Sequence, residues 1–313
     1  MSDLIVLAIG GNSLIRDEQH RTVADQWRLA RETCRYIADV IAAGHRVVIT
    51  HGNGPQVGFI LRRSELSRHE LHEVPLDSCD ADTQGAIGYM IQQSLENEFT
   101  RRGLKKGAVS LVTQVEVDAR DPAFGHPSKP IGSFMDEATA RARAEQEGWH
   151  VHEDAGRGWR RVVPSPEPLS IVELEAVRTL VAAGFVVTAV GGGGIPVVRN
   201  EAGELRGVEA VIDKDAASSL LAVELGADLL VISTAVDRVY LDYHRPTARP
   251  LDRLTAAEAR AYLAEGQFPE GSMAPKIRAL VRFLERGGRR GVVCCPAEIA
   301  RAVEGRAGTQ VVP

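Results

Sequence analysis

Phe185-Val186-Val187-Thr188-Ala189-Val190-Gly191-Gly192-Gly193-Gly194-Ile195-Pro196 reads as a short buried strand that runs directly into four glycines. Successive residues without a Cβ allow backbone N–H groups to approach an anion from several directions. The same arrangement occurs twice more. Leu4-Ile5-Val6-Leu7-Ala8-Ile9 ends in Gly10-Gly11-Asn12, and Arg46-Val47-Val48-Ile49-Thr50-His51 ends in Gly52-Asn53-Gly54-Pro55. In an open parallel sheet, ligands bind outside the carboxyl ends of the strands, so three such loops on one edge make a single polyanion site.

Helical patterns separate these strands. Asp25 to Ala43 carries apolar residues at Trp27, Ala30, Cys34, Ile37, Val40 and Ile41, one face of a helix, closed by Gly44. Ala182-Ala183-Gly184 before the four-glycine strand repeats Ala42-Ala43-Gly44, a weak duplication of a helix–strand–loop unit. The helix before that second copy is expected to open on a capping box, Ser170-x-x-Glu173. Asp82 to Arg101 reads as a helix, Gly107 to Val117 as a strand, and Gly291 to Cys295 as the last clear strand. Alternation of this kind predicts an α/β fold, an open and mostly parallel sheet with helices on both faces. The proline-rich segment from Asp118 to Pro168 breaks the rhythm with a loop, a charged helix and strand-like pieces around Asp154-Ala155-Gly156, and reads as a protruding lid. The expected organisation is an N-terminal lobe over 1–225 carrying that excursion, and a C-terminal lobe over 226–313.

The chain has 313 residues, 44% hydrophobic and 25% charged, with a formal net charge of −5. That balance excludes a general nucleic-acid binder, so any phosphate site is local. No apolar run reaches the ~20 residues of a membrane span, and the first strand begins too early for a leader, which makes the expected compartment the cytoplasm. The cysteines form no C-x-x-C pattern, and His150-x-His152 has no third ligand of matching spacing, so no metal-binding residues are assigned.

Two lysines sit where the helix dipole disfavours them. Lys214 and Lys276 fall at or just inside helix N-termini, the second behind Pro275. Either alone more often extends into water. Lys214, however, is flanked by Asp213 and Asp215, of which one can cap the helix and the other hold an ammonium or a magnesium ion. Lys129 lies on a stiff loop between Pro127 and Pro130. Three glycine loops, three lysines and a carboxylate pair, without a Ser-His-Asp set, form the signature of phosphoryl transfer, whose catalysis is mostly positioning and charge neutralisation. Asn12 and Asn53 are each either turn residues or side-chain donors to the substrate, and their placement inside the glycine loops favours the donor role. Neither a Walker loop nor the spacing of a dinucleotide fingerprint is present.

Ala8–Asn12, Thr50–Gly58, Lys129–Gly132, Val163–Pro166, Gly191–Val197, Ala210–Asp215 and Gly271–Lys276 together resemble the carbamate kinases of the amino acid kinase superfamily, nearly end to end. The resemblance implies a central sheet of about eight strands, a homodimer, a place in arginine metabolism, and an ATP-dependent phosphotransferase with Mg²⁺ as cofactor. Its reaction would be ATP + carbamate ⇌ ADP + carbamoyl phosphate. By motif position Gly10, Gly11, Asn12, Gly52, Asn53 and Gly54 would hold carbamate and the transferring group, with Gly192 and Gly193 beside them. Lys129, Lys214 and Lys276 would neutralise charge, and Asp215 would orient the lysines. Ser233, Thr234, Ala235, Val236, Asp237, Tyr240, Met273 and Ala274 would line the nucleotide pocket. Ala8 stands where related amino acid kinases carry lysine, which favours carbamate. Two departures from the family pattern are Ala274 for glycine and Asp80-Ala81-Asp82-Thr83 for small residues, the latter expected to alter a helix start or a dimer contact. The rivals are another acyl-phosphate or phosphonate kinase of the same fold, and a non-catalytic nucleotide-binding regulator.

Overall fold

The computed structural model describes residues 2–11, 19, 20, 22–153, 158–243 and 245–313. Asn12, Asp154, Ala155 and Gly156 lie outside them. Eight strands form the central sheet: β1 (Leu4–Ile9), β2 (Arg46–His51), β3 (Ala108–Ser110), β9 (Val186–Thr188), β12 (Leu229–Ser233), β15 (Arg253–Thr255), β16 (Arg290–Cys294) and β17 (Thr309–Val312). Their order is β15-β17-β16-β12-β1-β2-β9-β3, parallel throughout except for β16 against β17. β1 is buried along its whole length because both of its faces are covered, which is why it reads as a continuous apolar run rather than an alternating one.

The helices α1 (Val23–Ala42), α3 (Leu76–Arg102) and α9 (Ile299–Val303) supply residues of the core on one face of the sheet. The other face packs against α5 (Leu174–Ala182), α6 (Lys214–Glu224), α7 (Ala256–Ala264) and α8 (Met273–Glu285). Thr22 opens α1 with a capping box to Asp25, and Thr255 opens α7 with one to Glu258. The seam between the two expected lobes runs between β1 and β12, which are hydrogen-bonded neighbours of one sheet.

Around this frame lie three smaller sheets. β4 (Gln114–Val117), β8 (Pro168–Ile171), β10 (Ile195–Arg199) and β11 (Leu205–Gly207) form the first, in the order β11-β10-β4-β8. β5 (Lys129–Met135), β6 (His150–Glu153) and β7 (Trp159–Val163) form the second, in the order β5-β7-β6, with α4 (Glu137–Glu147) beside them. β13 (Val239–Leu241) pairs with β14 (Arg249–Leu251). The second of these is the core of the expected excursion, and α2 (Gly54–Ser67) packs closely against it. A Cβ on Gly58 would lie 3.3 Å from Gly132 Cα.

Several local expectations are corrected. The single strand expected over Gly107–Val117 is two, β3 and β4, in different sheets. α3 begins at Leu76 rather than Asp82, with Pro75 as its N-cap. Ser170 lies in β8, and Glu173 spends its carboxylate on Gln114 N (2.7 Å) and Gln114 Nε2 (2.8 Å), so the expected capping box of α5 does not form. α8 starts at Met273, which puts Pro275 at its third residue. α2 and β17 were not anticipated.

Candidate active site

The carboxyl ends of β12, β1, β2 and β9 lie side by side on one edge, and the glycine turns that follow them touch. Gly10 N donates to Ser233 O (3.1 Å), Gly52 N to Ile9 O (3.0 Å), and Ala189 N to Ile49 O (3.0 Å). A Cβ on Gly52 would stand 3.3 Å from Gly11 N. Gly192 (φ +71°) and Gly193 (φ +108°) occupy backbone that L side chains rarely adopt, and a Cβ on either would overlap Asn53 Nδ2 or Ile212 O respectively. Just before them Val190, buried and β-branched, is held at φ 54° with its N–H donated to Thr113 Oγ1 (3.1 Å). Such a conformation costs on the order of 1–3 kcal/mol and persists only where the surroundings impose it.

Ile212, against which Gly193 packs, leads directly into the charged cluster. Asp213 caps α6, its Oδ1 accepting from Asp215 N (2.9 Å) and Ala216 N (3.2 Å). Its Oδ2 accepts from Lys129 Nζ at 2.9 Å, across from β5. At the second residue of the helix, Asp215 Oδ1 lies 2.7 Å from Lys214 Nζ, and Oδ2 accepts from Lys276 Nζ at 3.0 Å. All three lysines therefore converge on two carboxylates two residues apart, leaving one net positive charge.

Burial pushes the Asp215 carboxyl up, but the two ammoniums outweigh it and hold it at about 2. Lys214 moves against its own charged form: burial lowers it further than Asp215 raises it, and Lys276 adds repulsion. The two ends of this contact thus disagree about its worth. Stoichiometry resolves the difference, because Asp215 faces two cations whereas Lys214 has half of one carboxylate. Lys214 Nζ, its side chain 12% exposed, has the Asp215 carboxylate as its ionic partner and shares it with Lys276. A buried ammonium in that condition is stabilised by an added anion.

Beside the cluster opens a cavity of about 370 Å³ lined by Gly10, Gly11, Thr234, Ala235, Val236, Tyr240, Met273 and Lys276, all expected at the site. Arg238, Tyr243, Phe268, Pro269, Gly271 and Ser272 complete its wall. Gly271 and Ser272 open the Gly271–Lys276 run, but nothing in the sequence pattern marks the other four, because the turn before α8 and the β13 hairpin bring them together only in the fold. Ser233, Asp237 and Ala274 do not line the cavity. Ser233 is buried and receives Gly10 N, Asp237 accepts from Tyr240 Oη (3.0 Å), and Ala274 is packed inside α8 with its N–H on Pro269 O (3.1 Å). Ser272 makes no side-chain cap and the first turn of α8 has no acidic residue, so the positive end of that helix dipole is not offset by a carboxylate of its own first turn. Lys276 belongs to both cavity and charged cluster, and Gly10 and Gly11 to both cavity and glycine edge, which joins the three into one continuous site.

On the opposite side of the glycine edge Asn53 is not the free donor expected of it. Its Nδ2 donates to Asp80 Oδ1 (2.9 Å) and to Thr83 Oγ1 (2.9 Å), which uses both amide hydrogens. Asp80 therefore lies in the second turn of α3 at the site, not at a helix start. Burial of Asp80 pushes its carboxyl up to about 7 against the Asn53 hydrogen bond. His51, whose ring fills the space a Cβ on Gly191 would need, is depressed to about 4 by burial. Gln84 clamps the turn from below, donating to Thr113 O (3.0 Å) and Gly191 O (3.0 Å). The partner that each of these three meets carries no sequence signal.

The amino acid kinase family matches residues 3–295 of this chain. The chain is 48% identical over 315 aligned positions to a carbamate kinase of Pyrococcus horikoshii, covering 100% of both. It is equally 48% identical to the carbamate kinase-like protein YahI of Escherichia coli, covering 100% of this chain and 99% of that one. Among solved structures, carbamate kinase from Giardia lamblia bound to AMP-PNP superposes with a TM-score of 0.93 at 38% identity, covering 99% of this chain and 98% of the other. The strand edge, the lysine–carboxylate cluster and these full-length likenesses lead to one conclusion: the chain belongs to the amino acid kinase family, within its carbamate kinase branch.

Proposed function

We propose that this protein is a carbamate kinase, catalysing ATP + carbamate ⇌ ADP + carbamoyl phosphate and run toward ATP. The observation that carries the reading is the convergence of Lys129, Lys214 and Lys276 on Asp213 and Asp215, beside the turns at Gly10–Gly11, Gly52–Gly54 and Gly191–Gly194. Carbamate is already an anionic nucleophile and needs no general base. The work left to the protein is to hold two negative groups in line and cancel their repulsion. Lys214, buried and sharing the Asp215 carboxylate with Lys276, takes the transferring group. Lys276, reaching Asp215 from the cavity wall, follows the nucleotide's phosphates, and Lys129 closes from the lid. Asp215 keeps two ammoniums aimed at one point.

The nucleotide occupies the cavity at Thr234–Val236 and Met273. In this reading residues 1–225 hold carbamate and the phosphoryl group, and residues 226–313 hold the nucleotide, with Gly10 and Gly11 serving both. Asp213 and Asp215 spend their oxygens on the lysines and the helix cap, and among the described residues no group of three or more His, Cys, Asp or Glu could hold a metal. These side chains are therefore engaged with the protein, and Mg²⁺, when bound, would supply further neutralisation of phosphate charge beside the three lysines.

A homodimer is favoured by the short edge strand β3, near which Tyr89, Val112 and Phe185 are exposed. Among the described residues no helix is long and apolar enough to cross a membrane, and a cytoplasmic place in arginine metabolism fits the reaction. The test is ATP formation from ADP with carbamoyl phosphate or acetyl phosphate as donor. Preference for carbamoyl phosphate supports the reading, and equal use or preference for acetyl phosphate refutes it in favour of another acyl-phosphate kinase.

A further inference from the structure

Asn53 is the N-cap residue of α2, a position where asparagine ordinarily turns its side chain back onto the helix, yet it makes no such bond. Its amide instead faces α3, with both hydrogens taken by Asp80 and Thr83. Thr83 is one turn beyond Asp80 on the same helix face and ties itself back by donating to Asp80 O at 2.7 Å. All three residues are buried, Asp80 to 2% exposure. The arrangement is costly, because a carboxylate out of water beside the like charge of Asp77 has one Asn53 hydrogen bond to offset its desolvation.

We propose that Asp80 is a positioning residue for phosphoryl transfer. From α3 it holds the Asn53 amide, and so fixes the turn between β2 and α2 against the four-glycine turn. The geometry supports a specific consequence on each side of Asn53. Gly52 backs onto Gly11, and the amide itself lies where any side chain at Gly192 would stand, so one side chain sets the register of all three turns. Because Asn53 is turned away, the N–H groups at the start of α2 carry no side-chain cap and stay open to an anion. Asp80 touches neither the nucleotide cavity nor the lysines, so its influence passes through Asn53 alone.

This inference rests on the carbamate kinase reading, and one experiment separates the two. ATP formation from ADP and carbamoyl phosphate is measured for the wild type, Asp80→Asn and Asp80→Ala, with a thermal melt of each. Asp80→Asn keeps an acceptor for Asn53 and should retain kcat within about threefold. Asp80→Ala should lose kcat by about ten- to a hundredfold, the scale of a small misplacement in an aligned site, with KM for ADP changed less than twofold. Thr83→Val, which removes the other acceptor and is the milder change, should lower kcat in the same pattern if Asp80→Ala fails to fold. Wild-type kcat in Asp80→Ala or in Thr83→Val overturns the inference. So does an Asp80→Asn enzyme as slow as Asp80→Ala, or a KM for ADP that rises as kcat falls. A wild type inert with carbamoyl phosphate overturns the inference and the carbamate kinase reading together.

Discussion

Replacing Asp215 by asparagine removes one charge and leaves two buried ammoniums facing each other. The Asp215 side chain is 5% exposed, and its partners Lys214 and Lys276 are 12% and 16% exposed, so little solvent screens the loss. Breaking a buried ion pair by removing one partner costs on the order of 3–5 kcal/mol. The titration gives a separate figure: a carboxyl that moves from 3.8 in the unfolded chain to about 2 in the native protein contributes about 2–3 kcal/mol. Its sign is fixed by the depression, so this stability is present above pH 3.8 and is lost as pH falls toward 2. Taking 3–5 kcal/mol and about 2–3 °C per kcal/mol for a chain of this size, Asp215→Asn should lower the melting temperature by about 6–15 °C. Inorganic phosphate restores the missing negative charge, so the variant should gain several degrees more than the wild type from the same phosphate concentration, read by calorimetry at neutral pH. The rate of ATP formation should fall by about 10²–10³, since both lysines lose the group that aims them. An Asp215→Asn protein as stable and as fast as the wild type would refute the reasoning. A destabilised variant that phosphate rescues no better than wild type would show that Asp215 serves packing rather than charge.

Other outcomes follow from the same geometry. Gly192→Ala should lose at least about 10²-fold in kcat/KM, because a Cβ there overlaps the Asn53 amide on backbone at φ +71°; steady-state kinetics near wild-type values would contradict it. Asp213→Ser keeps an N-cap oxygen for α6 but removes the Lys129 partner, so the melting temperature should change by less than about 2 °C while ATP formation slows. Loss of stability without loss of rate would place Lys129 outside the reaction. His51 and Asp80 titrate in opposite senses. His51, depressed to about 4, contributes stability above pH 6.5 that is lost as pH falls toward 4. Asp80, raised to about 7, contributes stability below pH 3.8 that is lost as pH rises toward 7. Denaturant unfolding of the wild type should therefore vary little with pH between about 4.5 and 6.5. In Asp80→Asn the His51 contribution is unmasked, and stability should rise with pH by about 1.4 kcal/mol per pH unit; equal slopes in the two proteins would sink this account.

How much of this was legible beforehand depended on whether the signal was local. The strands β1, β2 and β9 announce themselves because a twice-covered parallel strand is a continuous apolar run, and glycine at each end marks the loop. The lysines at 214 and 276 stood out because they oppose a helix dipole, a local rule broken at a functional site. What could not be read was set by tertiary contact. In sequence Asp80 reads as a departure at a helix start, whereas α3 begins at Leu76 and turns that residue toward Asn53. Asn53 looked like a free donor because its two acceptors are 27 and 30 residues away in the chain. Ser170 and Glu173 had the spacing of a capping box, but pairing of β8 with β4 drew Ser170 into a strand and Glu173 to Gln114. The cavity wall at Arg238, Tyr243 and Phe268 has no periodicity to betray it, since its residues are gathered from separate turns.

The account depends on ammonium groups from separate elements acting on one transferring phosphoryl group, with Lys214 at its centre. The direct measurement is the rate of ATP formation from ADP and carbamoyl phosphate in Lys214→Ala against wild type, with the melting temperatures of both. A fall of about 10²–10³ in kcat, in a protein that melts no lower than wild type, is the predicted result. A folded Lys214→Ala enzyme turning over within threefold of wild type would contradict it.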